Sequence, residues 1–203
     1  MTPWRVVVRD AINSTTLATI DNGTMLVGDR REPVIRGFDP PIVTPPGSGR
    51  VLNLFVKQSA LAIPPRAIVQ FLIAGEPVFW GPATIAPTPD SPGAGPFDRD
   101  RDALERVTVV GGEQLWRDSV CGPRYFDAEE DVSTLALVYA QWYGHPAVTV
   151  EAVNFPPTGA LVSVYYRPES TLFDTLRHLA ELVPGGAACW VDAEGVAHFQ
   201  AHE

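Results

Sequence analysis

Proline and glycine recur along the whole of this chain and limit the length of any regular element. The 203 residues include 20 prolines and 17 glycines. Proline fixes φ and has no backbone N–H to donate, while glycine readily adopts the positive φ values of tight turns. A sequence interrupted so often favours many short strands joined by turns over a bundle of long helices.

The composition is that of an acidic, globular protein. Hydrophobic residues make up 45% of the chain and charged residues 19%, which suits one large domain or two small ones. The formal net charge is −9. Domains that bind nucleic acid usually carry the opposite balance, so recognition of DNA or RNA is disfavoured as a function.

Signals for membranes and secretion are missing from the sequence. No apolar run approaches the ~20 residues that a membrane-spanning helix needs. Residues 1–10 lack the long apolar core of a signal peptide. We therefore expect a soluble protein that is not secreted by the usual route.

Residues 1–120 are predicted to form a β-barrel-like domain of mostly antiparallel strands. Asn22-Gly23 lies between two short apolar runs and is a strong hairpin signal, and Gly75-Glu76 is expected to make another turn. Pro33 restricts its strand to the edge of a sheet, because it cannot donate to a central ladder. The expected strands are 4–9, 17–20, 24–27, 33–38, 51–56, 67–73, 77–85 and 106–110.

Two stretches in this half are expected to be exposed loops. Residues 39–49 and 87–102 are dense in proline and glycine and contain little apolar material that could pack. Long loops of this kind are often functional. We expect the second one to become ordered only when the protein assembles.

Residues 121–203 are predicted to form a smaller α+β domain. A helix is expected over 129–143 and strands over 148–153 and 161–166, followed by a second helix and a hairpin. The first helix is expected to bury Trp142 with its other apolar residues. It is also expected to begin among four acidic residues that favour the positive end of the helix dipole. No internal repeat is evident.

The closing segment, 170–199, gives the clearest local signals. Thr171 is predicted to cap a helix, with Asp174 in the capping-box position, and apolar residues then recur at three- and four-residue steps. Pro184-Gly185-Gly186 is expected to end this helix. A hairpin follows around the turn Asp192–Gly195, where glycine supplies the positive φ.

Three segments resemble those of phage tail baseplate hub proteins, in the same order. They are the closing helix and hairpin, the run IVQFLIAGEPVFWGPATI at 68–85, and GEQLWRD at 112–118. In the second run Gly75, Val78, Phe79 and Gly81 match the hub pattern. A glycine such as Gly81 inside a strand also indicates a bulge or a close backbone approach.

The resemblance implies a structural protein of the virion, located at the tip of a viral tail. Such a hub forms a ring, with a homotrimer favoured and a hexamer possible. The ring joins the tail tube to distal tip proteins and meets distal tail and tape-measure proteins, and DNA only passes through its lumen. The net negative charge suits a wall that repels phosphates. The resemblance implies no enzymatic activity and no cofactor.

Three other functions remain open from the sequence. The chain is also compatible with a six-copy distal tail ring protein, with a tail-associated hydrolase of the cell wall, or with a β module that binds carbohydrate. Only the tryptophan and tyrosine content supports the last of these. A distal tail ring protein differs from a hub in its copy number and in its neighbouring proteins.

No catalytic, cofactor-binding or metal-binding residues are predicted. Asp98–Asp102 alternates acids as a calcium loop does, but glycine is missing at the sixth position and a ligand at the twelfth. Gly47–Arg50 lacks the lysine and hydroxyl of a phosphate loop. His198 and His202 fall on a strand, where four-residue spacing does not bring them together. Cys121 and Cys189 show no catalytic or metal-binding spacing, and free thiols are the default expectation.

Overall fold

The computed structural model describes residues 2–12, 14–39, 51–57, 63–85 and 104–202. These residues form two compact units, the first ending at Gly111 and the second beginning at Gly112. The predicted loops at 39–49 (apart from Asp39) and 87–102 lie outside the described residues, as do Asp98–Asp102. The domain boundary near residue 120 stays a prediction.

The first unit is a single sheet of nine antiparallel strands. Its order is β4-β3-β2-β1-β7-β8-β9-β6-β5, and every neighbouring pair is antiparallel. The sheet confirms the barrel-like part of the predicted α+β fold. The strands are β1 Trp4–Arg9, β2 Thr16–Asp21, β3 Thr24–Val27, β4 Arg30–Pro33, β5 Ile35–Asp39, β6 Val51–Lys57, β7 Ile68–Ile73, β8 Glu76–Ile85 and β9 Leu104–Val110.

The sheet nearly closes because its two edge strands are consecutive in sequence. Only the fully buried Val34 separates β4 from β5, although they lie at opposite ends of the strand order. The backbone N–H groups of Val34 and Ile35 both donate to the carbonyl of Gly23, at 2.8 and 3.0 Å. One hairpin turn thus holds the two edges together. Inside lies an apolar core of Val6, Val8, Ile20, Leu52, Leu54, Val56, Val69, Phe71, Phe79, Val107 and Val109.

Gly81 is a place of close backbone approach, as predicted. A Cβ at this position would collide with the backbone carbonyl of Val110. Only glycine therefore lets β8 and the end of β9 come this close.

Two details of the first unit differ from the prediction. The expected edge strand at 33–38 is divided between two strands, because the chain crosses from one edge of the sheet to the other at Val34. The turn expected at Gly75-Glu76 lies one residue earlier, at Ala74-Gly75, where both residues have positive φ. Ile73 pairs with Glu76, which fixes this register.

The second unit combines helices with short two-stranded ladders. Its predicted closing helix, capped by Thr171, and its closing hairpin are both confirmed. The elements are α1 Glu113–Arg117, β10 Val120–Cys121, β11 Arg124–Phe126, β12 Glu130–Asp131, α2 Val132–Tyr143, a 3₁₀ turn Ala152–Asn154, β13 Leu161–Val162, β14 Tyr165–Arg167, β15 Ser170–Thr171, α3 Leu172–Leu182, β16 Ala187–Val191 and β17 Ala197–Ala201.

Several boundaries in this unit were predicted wrongly. The first helix begins at Val132, so the acids before Asp131 precede it instead of filling its first turn. Residues 148–153 form only an isolated bridge at Thr149 and the 3₁₀ turn. The strand expected at 161–166 is divided into β13 and β14, and α1 was not predicted as a helix. Trp142 is exposed instead of buried.

The two longer helices of the second unit begin in the same way. Asp131 caps α2 and Thr171 caps α3, 40 residues apart, and each cap ends a short strand. The stops also correspond, at Gly144 and at Pro184-Gly185. The two helices pack against each other. The expectation that the chain has no internal repeat stays a prediction.

Replacing Gly23 by alanine should destabilise the first unit. Its φ is +80°, and a Cβ there would collide with the backbone carbonyl of Ile35. Left-handed geometry alone costs about 1–2 kcal/mol, and the collision adds to this. We expect Gly23→Ala to lower the free energy of unfolding in urea by roughly 2–4 kcal/mol.

Gly75→Ala is the matched control. Gly75 has φ +89° in a similar turn, but nothing lies within 4 Å of a Cβ there. The Gly75→Ala variant should lose only the cost of left-handed geometry, about 1–2 kcal/mol, from its free energy of unfolding. Equal losses in the two variants would mean that barrel closure at Gly23 contributes nothing to stability.

Candidate interaction surfaces

The short ladders of the second unit form one antiparallel ribbon, in which residues 120–131 run against 161–171. Val120 pairs with Thr171, Tyr125 with Tyr166, and Asp131 with Leu161. The register is the same in the first two ladders and shifts by one residue before the third. These two segments together are called the ribbon.

One side of the ribbon packs on the helices. The Phe126 ring lies 5.8 Å from that of Tyr139 in α2, and the Tyr165 ring lies 6.2 Å from Tyr139. Arg124 places its guanidinium 4.6 Å from the Trp142 ring and donates to the Tyr143 hydroxyl at 2.9 Å. Half-exposed Trp142 is therefore fixed by a cation–π contact.

The other side of the ribbon is apolar and uncovered. Tyr125 and Tyr166 are direct cross-strand partners, 62% and 59% exposed, and the neighbouring Val164 is 56% exposed. These three side chains are called the ribbon face. Among the described residues, the ribbon also exposes Val120 and Leu161. Exposed apolar patches of this kind mark interaction sites.

A second exposed element is the hairpin of β3 and β4, residues 24–33, called the arm. Leu26 lies opposite Arg31 and Val27 opposite Arg30, and all four side chains are exposed. Adjacent strand residues point to opposite faces. The arm therefore presents an apolar residue and an arginine on both of its faces.

The two units differ sharply in charge. Residues 1–111 contain 11 basic and 11 acidic side chains, whereas residues 112–203 contain 4 basic and 13 acidic ones. The first unit is therefore neutral, and the second carries the whole net charge of −9.

Asp131, the last residue of the first ribbon segment, is tied both to the start of α2 and to the residues just before the second ribbon segment. Its carboxylate accepts hydrogen bonds from the backbone N–H and hydroxyl of Ser133, and from the same two groups of Thr158, at 2.8–3.1 Å. The Gly159 N–H adds another at 2.8 Å. Burial raises the pKa of Asp131, but these hydrogen bonds outweigh burial and hold its pKa below the ordinary value.

Both cysteines are free, and neither is an activated nucleophile. Burial raises the pKa of the Cys121 thiol to about 11, although Thr175 and Arg167 act in the opposite direction. Burial, and then the charge of Glu113, raise the pKa of Cys189 to about 12. Both thiols are thus protonated at neutral pH.

His198 belongs to the closing hairpin and has a structural partner. Its Nε2 lies 2.8 Å from Asp192 Oδ2, and its ring stacks on Trp190 at 4.9 Å. The other carboxylate oxygen of Asp192 accepts the N–H groups of Glu194 and Val196, which fixes the turn. His202 is not part of this cluster.

Neither a metal centre nor a membrane helix is found in the part of the chain that the structure describes. No three of its His, Cys, Asp and Glu side chains are grouped to hold an ion. None of its helices has the length and apolar character needed to cross a bilayer. Gly47–Arg50 lies outside the described residues.

An open cleft of about 400 Å³ lies on the first unit. Arg5 and Asp21, which line it, form an ion pair of 2.7 Å with each other. Their charges are already matched, so the cleft offers no unpaired charge from this pair to a ligand.

Replacing Asp131, the cap of α2, should lower the free energy of unfolding more than replacing Thr171, the cap of α3. Asp131→Ala leaves donors of Ser133, Thr158 and Gly159 without an acceptor, so we expect a loss of roughly 2–3 kcal/mol in the free energy of unfolding. Thr171→Ala removes the cap bond that its hydroxyl accepts from the Asp174 N–H and the bond that it donates to the exposed Asp174 carboxylate, and should cost about 1 kcal/mol. Urea denaturation measures both, and equal losses would contradict the role of Asp131 in the ribbon.

The contribution of the Asp131 charge should depend on pH. The pKa of Asp131 is lower in the folded state than in the unfolded state, where it is about 3.9. Its charge therefore stabilises the fold at pH values above about 3.9, and this stabilisation is lost as the pH falls through the folded-state pKa. The stability difference between wild type and Asp131→Asn should therefore be full at pH 7 and shrink below about pH 4. A difference that grows on acidification would reverse the sign of the argument.

Both native thiols should react slowly with a thiol reagent. At pH 8 a raised pKa leaves little thiolate, so we expect labelling about a hundredfold slower than for a cysteine peptide. Full reactivity should return in denaturant. Rapid labelling of either cysteine in the folded protein would contradict the assignment of inert thiols.

Known proteins show the same fold. No protein-family model matches the sequence, and no curated protein matches it either. The structure is similar to the tail protein from Neisseria meningitidis MC58, at TM-score 0.50 and 17% identity over 97% of this chain and 50% of that one. It is also similar to the 43 kDa tail protein of prophage MuSo2 from Shewanella oneidensis, at TM-score 0.51 and 12% identity over 98% of this chain and 56% of that one. This chain spans about half the length of both tail proteins, and the similarity at these identities shows a shared fold.

Proposed function

We propose that this chain is a structural, non-enzymatic component of a phage tail, forming a ring at the baseplate hub or tail tip. The observation that carries the proposal is the fold: nearly the whole chain matches two tail proteins. The three hub-like sequence segments lie in β7 and β8, in α1, and in α3 with the closing hairpin. They therefore span both units.

The exposed surfaces support assembly into a ring. The arm and the ribbon face expose apolar side chains that an isolated protein leaves in contact with water. In a closed cyclic assembly, neighbouring copies cover such surfaces. A homotrimer is the favoured copy number, and a six-copy distal tail ring is the alternative.

The proposed ring joins the tail tube to distal tip proteins, meets distal tail and tape-measure proteins, and lets DNA pass. Charge limits how the lumen is built. The second unit is the better source of an acidic wall that repels phosphates, because the first has no net charge. If the first unit lines the lumen, the passage of DNA depends on the absence of a strong basic patch instead.

The mass of the assembled protein tests the proposal. Native mass spectrometry and light scattering over a range of concentrations should give a closed species of three times the 22.0 kDa subunit mass. Six times that mass would favour the distal tail ring. A protein that stays monomeric at every concentration and clears purified cell wall in a zymogram would be a hydrolase, and the proposal would be wrong.

A further inference from the structure

We propose that the arm of one copy docks on the ribbon face of a second copy, head to tail. This inference rests on the proposed ring and names the surfaces that form it. Both surfaces expose apolar side chains, and their charges decide which surfaces meet.

The arm packs on its own barrel through Met25, whereas Leu26 and Val27 stay exposed. Its outer residues, Leu26, Val27, Arg30 and Arg31, are exposed on both faces of a two-stranded hairpin. Covering the exposed apolar side chains of this hairpin with a partner would remove apolar surface from water, which favours association. Arginine is also enriched among residues that dominate binding energy at interfaces.

The ribbon face offers a complementary surface. Tyr125, Tyr166 and Val164 supply apolar area, and tyrosine is another residue type that dominates interface energetics. Exposed Asp127 and Glu169 lie close to these residues in sequence, two residues after Tyr125 and three after Tyr166. An apolar patch flanked by acids fits a partner that combines apolar side chains with arginines.

Net charge disfavours a contact between two ribbon faces. Two ribbon faces in contact would bring two units of charge −9 together, and like charges disfavour such a contact. The arm belongs to the neutral unit, where Asp29 and Glu32 balance its two arginines. The arm can therefore approach the acidic unit of another copy without this repulsion.

A head-to-tail contact has a direct consequence for assembly. Because the two surfaces differ, each copy keeps one arm and one ribbon face for its neighbours. Heterologous contacts of this type generate rings when the rotation closes. A symmetric contact between ribbon faces would stop at a dimer.

Two cysteine variants, mixed together, test the contact. One copy carries Leu26→Cys and the other Tyr166→Cys, both at exposed positions. After mild oxidation under assembling conditions, the mixture should give a disulfide-linked dimer on a denaturing, non-reducing gel. Neither variant alone should do so. The wild type, whose native thiols are largely buried, is the control.

Each other outcome overturns the inference. A linked dimer of Tyr166→Cys alone would mean that two ribbon faces meet. Rings of the expected mass without a link in the mixture would leave the proposed function standing and refute the arm contact. If no ring forms at any concentration, both proposals fail.

A charge reversal gives an independent readout. The double variant Arg30→Glu, Arg31→Glu should weaken assembly by roughly tenfold or more, because it sets acids against an acidic unit. The matched control is the double variant Arg66→Glu, Arg106→Glu, since both arginines are exposed in the same unit and neither lies on β3 or β4. Equal weakening by the arm variant and the control would refute a specific role for the arm.

Discussion

The closure of the first unit at Gly23 is the constraint on which its core depends. A nine-stranded sheet has two edges. Here the Gly23 carbonyl accepts the N–H group of Val34, which connects the two edge strands, and that of Ile35, which begins β5. The same glycine turns the β2–β3 hairpin. Without these two hydrogen bonds the buried N–H groups of Val34 and Ile35 would lack an acceptor at the point where the edges meet. The turn at Gly23 thus forms a local hairpin and also makes hydrogen bonds to the point where β4 and β5 meet.

The sequence was informative wherever local chemistry decides the structure. Asn22-Gly23, Thr171 and Pro184-Gly185-Gly186 each act within a few residues of their own position, and each was predicted correctly. The ribbon was not predicted, because its pairs join residues about 40 positions apart, such as Tyr125 and Tyr166. The start of α2 was misplaced for the same reason. Asp131 is hydrogen-bonded to Thr158 and Gly159, which are 27 and 28 residues away, so its partners cannot be read from neighbouring residues.

The starts and ends of α2 and α3 show that different residues can meet the same physical requirement. Aspartate caps one helix and threonine the other, and Gly144 ends one while Pro184 follows the end of the other. These residues differ chemically but satisfy the same requirements: an acceptor at the helix start and a break at its end. The interaction surfaces escaped prediction in a similar way. Trp142 was assigned to the core from helical spacing alone, whereas the ribbon covers the side chains next to it and leaves it exposed.

The second unit combines an exposed aromatic face with a high net negative charge, and the charge opposes self-association through that face. An apolar face such as that of Tyr125 and Tyr166 tends to associate with copies of itself. A charge of −9 on the same unit opposes that association while the protein is free. The repulsion acts between second units only, so it leaves the face available to a neutral surface. In the proposed ring, charge therefore selects which apolar surfaces meet, and burial of those surfaces supplies the binding energy.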